Sequence, residues 1–305
     1  KIKQIEKIDT IEIVESLKTA NIQIPNIIQK KGLALRIEHL SIGYDKKVLA
    51  SDVSFDIQKG EHIAIVGDNG QGKTTLLKMV NKLIAPISGT IFVDGVDIKD
   101  INAITLRRSI GYVIQQIGLL PHMTIKENIN YVLSIMKVDK AKRNARAEEL
   151  IELVGLSGDY LKRYPRQLSG GQKQRIGVAR ALAADPKIIL MDEPFGAVDE
   201  IARTLLQDEL MKIQEKLKKT ILFVTHDIQE AIKLGTTVVL LSNGKIEQMG
   251  TKEDLIYSPA SQFVKDFFGL KGFKATLDGE VMNKIYDKIL SNDESLEDFY
   301  KKLDA

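Results

Sequence analysis

The sequence contains no cysteine, which excludes disulfides and thiolate metal sites and leaves the redox compartment open. It also lacks any apolar run near the roughly 18–20 residues that cross a bilayer. If the protein moves something across a membrane, another polypeptide must supply the path. No strong charge of one sign is present either: 44 Lys and Arg stand against 41 Asp and Glu, a net charge of +3. So small an excess does not argue for nucleic-acid or membrane-surface binding, and no nucleic-acid partner is expected. Lys1–Thr10 alternates charge with isoleucine and has no apolar signal-peptide core. The chain begins with Lys1 in place of an initiator Met, so a clipped or processed N-terminus is expected. There is no internal repeat and no low-complexity tract.

What is there is ordinary for a globular protein: 44% hydrophobic and 28% charged residues over 305 positions. That length suits one core of roughly 200–250 residues with flanking pieces. Residues 1–32 read as a separate extension, with isoleucines spaced loosely for a helix and an end at Pro25 and Gly32. From Leu33 the pattern turns strand-like, with Leu35, Ile37, Val53, Phe55 and Ile57 alternating with polar residues. Residues 90–98 read as a hairpin with a tight Asp94-Gly95 turn. Helical patterning dominates 124–184, broken at Gly155, Gly158 and Pro165. The apolar runs 187–191, 220–225 and 237–242 read as central parallel strands, with helices over 200–219 and 227–234. Alternating strand and helix implies a parallel α/β sheet. Two short amphipathic pieces, around 281–290 and 296–303, are expected to be helices of a C-terminal extension.

Gly67-Asp68-Asn69-Gly70-Gln71-Gly72-Lys73-Thr74 fits G-x-x-x-x-G-K-[ST], between an apolar strand (His62–Val66) and a helix running from Thr74 to Leu83. Glycines let the backbone curl so that successive amides face phosphate oxygens, and the helix N-terminus favours the same negative charge. In this pattern Lys73 reaches the β- and γ-phosphates, and the Thr74 hydroxyl ligates Mg²⁺. Thr75 and the amides of Gly70 and Gly72 complete the cradle. The motif by itself says only that a nucleotide binds.

Ile188-Ile-Leu-Met-Asp192-Glu193 puts two carboxylates at the end of a buried apolar strand. Such charges are costly inside a sheet unless they meet a cation or a polar site, and ligands bind at the carboxyl ends of parallel strands. Asp192 is therefore expected to hold Mg²⁺, directly or through water. Glu193, one residue on, is suited to take a proton from an attacking water.

Leu168-Ser169-Gly170-Gly171-Gln172 opens a helix, which makes it a second set of free amides able to receive a phosphate. This run resembles the signature motif of the ABC ATPases. The resemblance covers about residues 33–270. It implies an α/β P-loop NTPase fold of the ABC type, with a parallel core sheet, an antiparallel β subdomain and a helical subdomain over about 117–184. The ATPase domain would span 33–269, followed by a short helical extension over 270–305. By the same resemblance Ser169, Gly170, Gly171 and Gln172 act in trans, capping the γ-phosphate held by the other copy of a head-to-tail homodimer.

The remaining family motifs follow in order. Tyr44 stands where an aromatic stacks on adenine. Gln115 matches the glutamine that links Mg²⁺ and water to the membrane subunit; Gln116 follows it, and the family spacing favours Gln115. Gly196-Ala-Val-Asp199 matches the loop that crosses the dimer interface, with Asp199 as its carboxylate and Gly196 where a Ser is commoner. His226 matches the switch histidine that contacts the γ-phosphate. Asp68-Asn69 and Gln71 replace the commoner Pro-Ser and Ser, but these positions offer backbone amides, so activity is expected.

Glu193-Pro-Phe-Gly196 and His226-Asp227 look like importer subunits, since exporter-type ATPases carry Glu-Ala-Thr-Ser and His-Arg there. Residues 111–124 with 191–200 resemble the quaternary-amine importers, which take up glycine betaine, carnitine and choline. Many of that group carry a regulatory CBS pair after the ATPase, which the short tail beyond Gly269 would not accommodate. The implied partners are integral membrane permease subunits and a substrate-binding protein, with the ATPase peripheral on the cytoplasmic face of the membrane. An importer for another small solute such as an amino acid, or a soluble ABC ATPase outside transport, stays open.

Overall fold

The computed structural model describes residues 32–44, 47–115, 118–196 and 200–276. The expectations for 1–31, Gln116, Asp199 and the tail pieces after 276 lie outside the described residues. Two sheets form the frame. β1 (Leu33–Tyr44), β2 (Lys47–Gln58), β3 (His62–Val66), β4 (Ser88–Val93), β5 (Val96–Asp97), β6 (Ile110–Val113), β7 (Ile188–Asp192), β8 (Thr220–Val224), β9 (Thr237–Ser242) and β10 (Lys245–Gly250) are the strands. The antiparallel sheet runs β2-β1-β4-β5, and the main sheet runs β10-β9-β3-β8-β7-β6. All neighbours in the main sheet are parallel except β10 on β9.

The unbroken apolar runs follow from burial on both faces of this sheet. Ile63, Ile65, Ile188, Leu190, Leu222, Val224, Val239 and Leu241 pack on one side, with the antiparallel sheet and the helix α1 (Lys73–Val80). The alternate residues Ala64, Val66, Ile189, Met191, Ile221, Phe223, Val238 and Leu240 pack on the other, with the larger helices. Each fully buried Val, Leu or Ile contributes about 1.5–3 kcal/mol relative to exposure, so the strand period of two is enforced over the whole sheet.

A short helix α2 (Ala103–Ser109) leads into β6. The helical region contains α3 (Ile125–Ile135), α4 (Lys140–Leu153) and α5 (Gly170–Leu182). Ile125, Ile129, Leu150, Ile151 and Ile176 are fully buried and share one cluster with Met191 and Phe223 of the main sheet. Helix α4 stops where expected, with Gly155 at φ 69 just beyond it. Helices α6 (Glu200–Leu217) and α7 (Ile228–Leu234) follow β7 and β8.

The Asp94-Gly95 hairpin is present, pairing Val93 with Val96. The helix after the phosphate loop ends at Val80, three residues short of the expected Leu83, because Lys82 turns to φ 53. The edge strand β10, α2 and α8 (Lys252–Tyr257) were not read from the sequence. Helix α9 (Gln262–Thr276) crosses the expected domain end at 269/270, kinking there at Gly269 (φ 38, ψ −143). No helix among the described residues is long and apolar enough to cross a membrane.

Candidate functional site

The carboxyl ends of β3, β6, β7 and β8 deliver the Gly67–Thr74 loop, Gln115, the Asp192-Glu193 pair and His226 to one place. The loop needs glycine for two reasons at Gly67, where φ is 144 and a Cβ would collide with the Leu241 carbonyl. At Gly72, φ is 89 and a Cβ would stand 2.9 Å from Ile42 Cγ2. Gly70 also takes a positive φ. Gln71 anchors the loop by accepting from the Gly244 amide at 3.2 Å.

Lys73 begins α1 and is 6% exposed. Its ammonium donates to the carbonyls of Gly67 (2.5 Å) and Asp68 (2.7 Å), which places the charge inside the loop's curl. Burial pulls its pKa down, against the carboxylates of Glu193, Asp68 and Asp192. Thr74 Oγ1 donates to Asp192 Oδ1 at 2.7 Å, bringing two oxygen donors together at the end of β7. Burial pushes the Asp192 carboxyl up, opposed by the Thr74 hydrogen bond and raised further by the Glu193 charge. Tyr44 is 45% exposed at the end of β1, and its hydroxyl shares a 2.9 Å hydrogen bond with Thr75 Oγ1.

Glu193 sits at φ 44, a left-handed conformation that a non-glycine residue adopts at a cost of about 1–3 kcal/mol. Its amide donates to Val224 O at 3.0 Å, tying the turn to β8. Its carboxylate is shared between two expected site residues. Gln115 Nε2 donates to Oε2 at 2.8 Å, and His226 Nδ1 lies 3.3 Å from Oε1. The structure thus brings Gln115, Glu193 and His226 into direct contact.

The signature residues stand at the start of α5. Ser169 caps α5 in a reciprocal pair: Ser169 N donates to Gln172 Oε1 at 3.0 Å, and Gln172 N donates to Ser169 Oγ at 3.3 Å. Gln172 Nε2 also donates to Tyr160 Oη, whose ring lies under the Arg163 guanidinium at 4.0 Å. Ser169 and Gly170 are exposed. The side-chain partners of Ser169 and Gln172 are one another and Tyr160.

The sequence reading missed the polar network behind His226. Thr225 and Glu230 are buried and hydrogen-bonded to each other, and Gln207 and Arg203 reach it from α6. The one available signal was a Glu three residues after Asp227 at the head of an apolar helix, a pattern that ordinarily reads as a helix cap.

A family model described as "ABC transporter" matches residues 50–196. The glycine betaine/carnitine/choline transport ATP-binding protein OpuCA of Bacillus subtilis (strain 168) is 53% identical over 236 residues, 77% of this chain and 62% of the relative. The osmoprotectant import ATP-binding protein OsmV of Salmonella typhimurium is 49% identical over 243 residues, 79% of this chain and 60% of that one. The glycine betaine uptake system ATP-binding protein YehX of Escherichia coli (strain K12) is 43% identical over 235 residues, covering 77% and 76%. The chain therefore spans about three fifths of the length of the first two relatives. A dimeric, post-hydrolysis structure of the ATP-binding cassette MJ0796 bound to ADP and Pi superposes with TM-score 0.64 and 33% identity, over 71% of this chain and 98% of that one. With its phosphate loop, acidic strand end and capped signature helix in this fold, the chain belongs to the ABC transporter family, among its ATP-binding proteins.

Proposed function

We propose that this protein is the ATP-hydrolysing subunit of an importer for quaternary-amine osmoprotectants. The observation that carries the hydrolytic part is the placement of Glu193. Its carboxylate is held between Gln115 and His226, one residue beyond the Asp192 that meets Thr74. The solute class rests on the relatives, whose printed names specify glycine betaine, carnitine, choline or osmoprotectant transport.

The residues fit MgATP. The loop amides and the Lys73 ammonium bind the β- and γ-phosphates, the ammonium exchanging two carbonyl partners for phosphate oxygens. Among the described residues, no group of three or more His, Asp or Glu side chains forms a metal cage. One carboxylate and one hydroxyl beside a phosphate site is instead the donor set Mg²⁺ takes. Thr74, Asp192 and Gln115 would hold it, and the ion would neutralise charge on the β- and γ-oxygens. Tyr44 offers its exposed ring to adenine. Glu193 accepts the proton of the attacking water, with His226 orienting that carboxylate and reaching the γ-phosphate. Gln115 reports the occupied state towards the permease.

Ser169, Gly170, Gly171 and Gln172 complete the site from a second copy of the chain, so two nucleotides are gripped at the seam of a head-to-tail homodimer, with Asp199 as an interface carboxylate. Closure with ATP and opening after hydrolysis is a population shift driven by the γ-phosphate contacts. The partners are membrane permease subunits and a substrate-binding protein, and the ATPase works at the cytoplasmic face. Reconstitution with the permease in vesicles tests this reading: glycine betaine, carnitine or choline should be accumulated at the expense of ATP. Hydrolysis stimulated by an amino acid and by none of these amines would refute the solute assignment.

A further inference from the structure

Among the described residues, α3, α5 and α8 begin with a reciprocal cap. Thr124 with Glu127, Ser169 with Gln172, and Thr251 with Asp254 each return the third-position side chain to the cap's own amide. Helix α7 has the same lettering, Asp227 followed by Glu230, and a different arrangement. Asp227 Oδ1 accepts from the amides of Gln229 (2.8 Å) and Glu230 (3.3 Å). Glu230 does not reach back; the Asp227 amide donates to Thr225 Oγ1 at 3.0 Å. The Glu230 carboxylate turns inward, where it accepts from the Thr225 hydroxyl and from Gln207 Nε2 at 3.5 Å.

This diversion has a cost. Glu230 is 4% exposed, among the buried Ala231, Ile232 and Leu234, and burial holds its pKa above the ordinary carboxylate value. An apolar side chain would pack there without a desolvation penalty. Thr225 and Gln207 both donate to the carboxylate, so a side chain that accepts at both oxygens satisfies them. The Thr225 hydroxyl is consequently fixed in direction, donating to Glu230 while accepting from Asp227. Thr225 is 1% exposed, and its amide donates to Ile65 O at 3.1 Å. The peptide on either side of His226 is thus pinned, while the imidazole itself stays half-exposed and faces Glu193. Arg203 of α6 holds the far side through Asp227 Oδ2 at 3.3 Å.

We propose that Glu230 is a positioning residue for His226, its buried carboxylate orienting the Thr225 hydroxyl so that residues 225–227 aim the imidazole at the reacting carboxylate. This rests on His226 and Glu193 acting in hydrolysis as set out above. Gln207 extends the same clamp to α6, the helix that follows the Glu193 turn. The segments after β7 and β8 are then held to each other from behind the site as well as across it.

The test is steady-state hydrolysis by the full chain carrying Glu230→Gln, alone and combined with His226→Ala, with Thr225→Val as a second probe of the same link. Gln keeps the size of Glu but presents an amide N–H donor to one of the two donors. The expected result is a kcat lowered about 10- to 100-fold, a KM for ATP within about twofold of the parent, and no further loss when Glu230→Gln is added to His226→Ala. Thr225→Val should repeat this pattern, and it carries the test if Glu230→Gln does not fold. A parental kcat for both single variants, with His226→Ala slow, would overturn the positioning role and leave the catalytic reading intact. An equal loss from Glu230→Gln in the parent and in the His226→Ala background would also overturn it, since Glu230 would then act independently of the imidazole. Parental hydrolysis by His226→Ala would sink the catalytic reading itself, and the clamp with it.

Discussion

Gln115 and Glu193 are 78 residues apart in sequence, yet the amide of one donates to the carboxylate of the other at 2.8 Å. β6 and β7 are parallel neighbours, with Val113 beside Met191. Residues just beyond the two strand ends therefore meet without any further device. A glutamine assigned to sense the membrane partner and the acid assigned to the chemistry share one bond.

If Glu193 is the base, Glu193→Gln keeps the side-chain size and removes the proton acceptor. Hydrolysis should fall by about 10²–10⁴-fold while nucleotide affinity persists. Light scattering of this variant with MgATP should show a dimer that the parent forms only transiently. A variant that turns over at the parental rate would remove Glu193 from the mechanism.

The phosphate loop can be challenged without touching a charge. Gly72→Ala puts a Cβ 2.9 Å from Ile42 Cγ2 at φ 89, so the loop must shift at a cost of about 1–3 kcal/mol. Nucleotide affinity, read by titration with a fluorescent ATP analogue, should drop at least tenfold. Lys73→Ala should weaken binding as well, by removing the cation from the loop.

Ser169→Ala separates capping from trans recognition. Losing the cap should cost about 1 kcal/mol, or roughly 2–4 °C in Tm for a domain of this size, measured on the nucleotide-free monomer. If Ser169 also contacts the partner's nucleotide, adding Ser169→Ala to Glu193→Gln should abolish the MgATP-dependent dimer. Survival of that dimer would restrict Ser169 to its structural role.

Asp192 supplies a pH prediction. Its carboxyl is raised above the ordinary 3.8, chiefly by burial. The folded state then holds a proton that the unfolded chain has already released, so this group's contribution makes stability fall as pH rises through the window just above 3.8. The penalty is complete above the folded-state value and absent below the unfolded one. Asp192→Asn should remove that slope and raise the Tm of the nucleotide-free protein at neutral pH, while abolishing Mg²⁺-dependent hydrolysis. A lower Tm for this variant at neutral pH would show that the ionised carboxylate stabilises the fold.

The loop glycines, the acid pair and the signature run were legible in the sequence because each is local. Gly67, Gly72 and Lys73 lie within seven residues of one another, and their spacing is set by the curl of a single turn. The doubly buried strands were legible for a related reason: apolar residues on both faces leave no polar alternation to obscure them. The strand β10 was missed because Lys245–Gly250 is polar and half-buried at a sheet edge, so its pattern carries no clear period.

The network behind His226 shows where local reading ends. Asp227 and Glu230 have the letters of a reciprocal cap, and α3, α5 and α8 honour those letters. Glu230 departs from them because Thr225 and Gln207 wait on the inner side, and Gln207 comes from a helix 23 positions earlier in the chain. Which residues can hold a phosphate, a metal or a proton is legible along the chain, since those abilities belong to side chains and short turns. Which of them share a bond follows from the fold, because parallel strand order, and not distance along the chain, sets who stands beside whom at the sheet's carboxyl edge.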